Sequence, residues 1–87
     1  MTTTLVLAHR DDYIGQANYW RTRAVYWQET VAWWERMLLA AILLYPEDRY
    51  PTERDYIVKH MNEAREWGSM ARSMVRGNEY WALVRRI

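Results

Sequence analysis

The chain has no cysteine, no phenylalanine and a single lysine, with only two prolines and three glycines in 87 residues. Without cysteine there is neither a disulfide framework nor a thiolate zinc site, and the plainest compartment for such a chain is the cytoplasm. A net charge of +1 gives no whole-molecule field strong enough to draw it to nucleic acid or membranes. Long apolar runs are missing too. The segment "MTTTLVLAHRDD" lacks a basic n-region and is apolar only from Leu5 to Ala8, which is no signal peptide. The longest run, Met37 to Tyr45, has nine residues, too few to span a bilayer. There is no internal repeat and no glycine-rich phosphate loop. The expectation is one small domain with no membrane contact and no cofactor. A chain of this size buries only about 60% of its unfolded surface, so its core is marginal.

What the chain does have is aromatic side chains with polar handles, six Trp and seven Tyr. Four of the tryptophans and two of the tyrosines crowd into "YWRTRAVYWQETVAWW", residues 19–34. Such residues favour surfaces that are partly apolar and partly wet. Eleven of the twelve basic residues are Arg, the cation suited to planar and stacked contacts.

The apolar pattern predicts an all-α fold. Tyr13, Ala17, Trp20, Ala24, Trp27, Val31, Trp34, Leu38, Ala41 and Tyr45 are spaced 4,3,4,3 without a break, a helical seam over about 11–45. Asp11 or Asp12 suits its start, and "YPEDRYP" ends it at Pro46 and Pro51. A second helix is expected over about 53–76, with Thr52 as N-cap and a seam of Ile57, Met61, Ala64, Gly68, Ala71 and Val75. Gly77-Asn78 reads as a break, followed by a short C-terminal helix capped by Asn78 or a kinked continuation. Residues 1–10 read as an N-terminal arm, either a loose tail or a strand that adds to a partner's sheet, and 11–87 as the helical domain.

In an antiparallel hairpin the seams match large against small. Pairing Tyr45 with Ile57 sets Ala41 against Met61, Trp34 against Gly68 and Trp27 against Val75, a fit that close packing favours. Trp20, Trp27 and Trp34 are then expected in the core.

One line stays outside that core. Tyr19, Arg23, Tyr26, Thr30, Trp33 and Met37 lie one position before each seam residue, on a shoulder that a two-helix hairpin does not cover. Tyr, Trp, Arg and Met are the residue types of interface hot spots. Tyr19, Arg23, Tyr26, Trp33 and Met37 are therefore the candidate partner-binding residues. The occupant is a folded-back C-terminal segment bearing Tyr80, Trp81 and Leu83, a second copy in a helical bundle, or a foreign partner. Leu39, Ile42, Leu43 and Leu44 add apolar surface at the helix end.

Other constellations carry less. Arg72, Arg76, Arg85 and Arg86, with Trp81 among them, make a possible nucleic-acid surface of phosphate-holding cations and a stacking ring. His9, Asp11 and Asp12 are too close in sequence to build a metal site alone, so no metal is expected. Lys59 and Glu63 stand at i,i+4 as an ordinary surface pair.

"RDYIVKH", residues 54–60, resembles the Arg-polar-x4-His signature of HEPN-type ribonucleases. That resemblance implies Arg54 steadying an RNA phosphate and His60 moving the proton, in a four-helix bundle that this chain would reach only by dimerising. No other catalytic residue is indicated. The expected function is a small non-enzymatic protein-binding module: an inhibitor, adaptor or assembly factor, of the kind phages direct at a host or defence complex. A nucleic-acid-binding helical protein is the alternative.

Overall fold

In the computed structural model, which describes residues 10–84, two helices pack as an antiparallel hairpin. Helix α1 is Arg10–Leu44 and α2 is Tyr50–Val84, each of 35 residues. At 1.5 Å per residue each runs about 52 Å, and the whole measures 62 × 21 × 14 Å. The molecule is a layer two helices wide and one helix thick.

Asp11 and Asp12 fall in the first turn of α1, where carboxylates meet the positive end of the helix dipole. The ladder of α1 reaches Tyr45, whose N–H donates to the Ala41 carbonyl at 3.0 Å. Pro46 has no N–H with which to continue it. Its carbonyl instead accepts from the N–H groups of Arg49 and Tyr50, at 3.0 and 2.9 Å, and residues 45–49 form the connection. Pro51 then sits in the first turn of α2, where a missing N–H costs nothing and the fixed φ suits the helix. Thr52 accordingly does not cap α2; it lies inside it. The ladder begins at the Arg49 carbonyl, which accepts from Glu53 N–H at 3.1 Å, and the Arg49–Glu53 ion pair at 3.0 Å reinforces this turn.

The expected short third helix is replaced by a straight continuation of α2 through Gly77 and Asn78 to Val84. Asn78 caps nothing; its Nδ2 donates back to the Met74 carbonyl at 2.8 Å. Gly77 does not take the positive φ through which a glycine ends a helix. Ala82, buried in line with Ala71, carries the seam past the glycine and holds the helix to its partner. A Cβ at Gly77 would meet nothing within 4 Å. Gly77→Ala is therefore expected to stabilise the chain by about 0.8–1 kcal/mol, raising the melting temperature by roughly 4–8 °C. A lowered melting temperature in a circular dichroism melt would mean that α2 bends there.

The seams meet as predicted in kind, but slid by one heptad. The Gly68 side faces Trp27, whose Cβ would lie 3.4 Å from a Cβ at Gly68, while Trp34 stacks on His60. Tyr13 with Trp81, Trp27 with Trp67 and Trp34 with His60 all have numbers adding to 94. The cause is the connection. Three residues expected in the loop, Tyr50 to Thr52, are helical, because Pro51 opens the helix where the sequence reading had it close the turn.

The buried seam is small: Ala17, Ala41, Ala64, Gly68, Ala71 and Ala82, with Ile57 and Met61. No large side chain is fully enclosed among the described residues. Trp20, Trp27 and Trp34, expected in the core, are half-buried. Alanine and glycine let the backbones approach, and the space between is then too narrow for an indole. The rings lie at the edge of the seam.

Candidate functional site

The shoulder line of α1 is where the heptad puts it. Tyr19, Tyr26 and Trp33 are exposed, at 55, 48 and 47%, and Arg23, Thr30 and Met37 are partly covered. Each exposed ring stands edge-on to the seam tryptophan that follows it. The centroids are 5.1 Å apart for Tyr19–Trp20, 4.9 Å for Tyr26–Trp27 and 4.7 Å for Trp33–Trp34. This T-shaped geometry is favourable and steadies the rings without covering them. The Arg23 guanidinium lies 4.7 Å from the Tyr26 centroid and 5.6 Å from that of Trp27. Thr30 Oγ1 donates to the Tyr26 carbonyl at 2.9 Å.

A second line on α2, missed in the sequence reading, joins it. Tyr56, His60, Glu63, Trp67, Met70 and Met74 also stand one position before seam residues, spaced 4,3,4,3,4. Antiparallel packing brings them to the same side of the layer. Trp67 stacks on Trp27 at 6.1 Å and 20°. Trp34 stacks on His60 at 5.2 Å and 15°, and meets Tyr56 edge-on at 6.1 Å. Tyr19, Trp20, Arg23, Trp27, Trp67 and Met70 line a shallow pocket of about 420 Å³. Trp20 Nε1 is buried with no acceptor among the described residues. The signal for this second line was its spacing, obscured by the polar His60 and Glu63. Those two pair with each other, Nδ1 to Oε1 at 3.3 Å, so Glu63 meets His60 and not the expected Lys59.

The opposite side of the layer is charged. Arg21 pairs with Glu79, and Arg65 with Glu35 at 3.3 Å. These pairs are about half exposed, and such contacts are worth roughly 0–1 kcal/mol. They mark that side as solvated. Arg72 and Arg76 belong to it. Arg72 reaches toward Gly68 and Arg76 donates to the Ser73 hydroxyl at 3.2 Å. Glu35 and Glu79 interleave with these arginines. Trp81 does not: it stacks on Tyr13 at 6.5 Å and 28°. Trp81 is therefore apart from Arg72 and Arg76. Arg85 and Arg86 lie outside the described residues.

Arg54 and His60, the residues of the ribonuclease resemblance, have different neighbours. Arg54 pairs with Asp55 at 3.1 Å and lies over the Tyr50 ring, while His60 is held among Trp34, Tyr56 and Glu63. His9, with the rest of the N-terminal arm before Arg10, lies outside the described residues. Among those described, no group of three or more His, Cys, Asp or Glu could hold a metal ion, and no helix is long and apolar enough to cross a membrane.

Nothing in α2 folds back over the α1 shoulder. The apolar end of α1 is also bare, with Leu39 at 80% and Leu43 at 88% exposed beside Ile42 and Leu44. Compared with known proteins, the chain matches no protein family, no curated protein and no solved structure.

Proposed function

We propose that this chain is a small non-enzymatic protein-binding module, an inhibitor, adaptor or assembly factor, that acts by burying its two-helix aromatic face against a protein. One observation carries the reading: five half-exposed aromatic rings, Tyr19, Tyr26, Trp33, Tyr56 and Trp67, lie on one side of the layer with Met70 and Met74. Aromatic residues and Met are enriched at interface cores. A fully buried aromatic removes about 150–250 Å² from water. Five half-exposed rings and two methionines therefore offer on the order of 650 Å², above the 300–600 Å² of the largest patch on an ordinary monomer.

Trp33→Ala tests it. The ring is half exposed and, among the described residues, its aromatic contact is with its neighbour Trp34, so helix content should survive while protein association is lost. Intact association in the variant, or binding that instead tracks phosphate contacts by falling steeply with salt, would refute the reading.

A further inference from the structure

We infer that the partner on the aromatic face is a second copy of this chain, so that the assembled unit is a four-helix bundle of two stacked hairpins. This rests on reading that face as a protein-docking surface. Four features of the layer point to a copy.

The first is area. A face of on the order of 650 Å², widened by the partly covered Arg23, His60 and Met37, approaches the roughly 800 Å² per partner of a stable complex. The second is shape. The layer is 62 × 21 × 14 Å, and the partner that matches a face two helices wide along its whole length is another such layer. Closing two antiparallel helix pairs face to face is the ordinary route to a helix bundle.

The third is charge. Arg23 and Glu63 stand within the face with opposite signs, so a copy of the face meets no net repulsion, and a strongly charged partner is not selected. The fourth is the seam itself. Its enclosed residues are mostly alanine and glycine, and no large side chain is fully buried among the described residues. Trp20, Trp27 and Trp34 open onto the uncovered side. Stacking a second layer there would place these indoles in an interior and supply the core that the single hairpin lacks. A partner needed to complete the core has to be present whenever the chain folds, and a copy of the chain always is.

The absence of cysteine makes the test direct. Sedimentation equilibrium of the wild-type chain should give twice the 10.6 kDa of one chain, and do so reversibly with concentration. Single-cysteine variants then report which face is covered. Thr30→Cys lies within the aromatic face; Ser73→Cys lies on the side of α2 away from it. Labelling by a thiol reagent tracks the open population. With about nine chains in ten paired, Thr30→Cys should therefore label about tenfold more slowly than in dilute protein, and Ser73→Cys at an unchanged rate. A wild-type chain that stays monomeric at every concentration overturns the inference, yet leaves the face available to a foreign protein. A dimer in which Thr30→Cys labels as fast as in dilute protein overturns both the inference and the docking role of the face.

Discussion

Trp67→Ala is expected to weaken docking of the aromatic face by at least about 2 kcal/mol, the cost of truncating a hot-spot aromatic, or roughly 30-fold in dissociation constant. Trp67 sits near the middle of the face. It is half exposed and stacked on Trp27, so its ring is held in place before any partner arrives. A ring fixed in advance has less rotamer entropy to lose on binding. The substitution should also lower the stability of the hairpin, since an aromatic pair contributes about 0.5–1.5 kcal/mol beyond its buried area. Trp33→Ala removes a ring whose only aromatic partner among the described residues is its neighbour Trp34; it should weaken docking with a smaller change in the unfolding transition. Association and melting measured side by side on the two variants check this. Equal association for Trp67→Ala and wild type would mean that the α2 half of the face takes no part.

Gly68 gives the second large effect, and its sign depends on the size of the replacement. Gly68→Leu is expected to destabilise the chain by about 1–3 kcal/mol, the usual result of overpacking a close contact. For a domain of this size that lowers the melting temperature by roughly 5–20 °C. The first carbon already lies 3.4 Å from Trp27 Cβ and from the Arg72 guanidinium. The branched end of a leucine would have to displace the α1 backbone or the indole. Gly68→Ala adds only that first carbon, at ordinary contact distance. The helix gains about 0.8–1 kcal/mol from replacing glycine, so alanine should be neutral or mildly stabilising. Thermal melts of both variants decide the matter. Leucine tolerated at wild-type melting temperature would mean that Trp27 does not pack on Gly68. The companion Trp34→Ala should not relieve the leucine variant, whereas Trp27→Ala should, because only Trp27 faces Gly68.

Much of this fold could be read from the chain. An unbroken 4,3 spacing from Tyr13 to Tyr45 leaves a helix as the one regular structure with all those side chains on a single stripe. The same spacing from Ile57 to Val75, with a proline-bounded turn between, dictates a hairpin. The α1 half of the site followed from the same periodicity, because Tyr19, Tyr26 and Trp33 sit beside the stripe and nothing on α1 can cover them.

What failed was what depends on distant parts of the chain. Pro51 marks either the end of a turn or the first turn of a helix, and local sequence does not distinguish them. Taking it as the end of the turn went with pairing Tyr45 with Ile57 and Trp34 with Gly68, whereas the structure sets Trp27 opposite Gly68. Gly77-Asn78 is a stop signal only where glycine is free to turn left-handed; Ala71 and Ala82 packed on α1 outweigh it. A tryptophan in a stripe implies a core position only when the helices stand far enough apart, and here alanine sets the spacing.

The sequence alone thus determined two amphipathic helices, their antiparallel pairing and the excess of polar-tipped aromatics on α1, because each follows from periodicities within one helix. Only the tertiary structure decided the register. It placed Tyr56, Trp67, Met70 and Met74 beside Tyr19, Tyr26 and Trp33, and gathered the Arg21–Glu79 and Glu35–Arg65 pairs on the other side. The physical reason is that helix periodicity fixes which residues share a stripe, whereas the side on which two stripes meet depends on the length of the turn and on the contacts small enough to let the helices close.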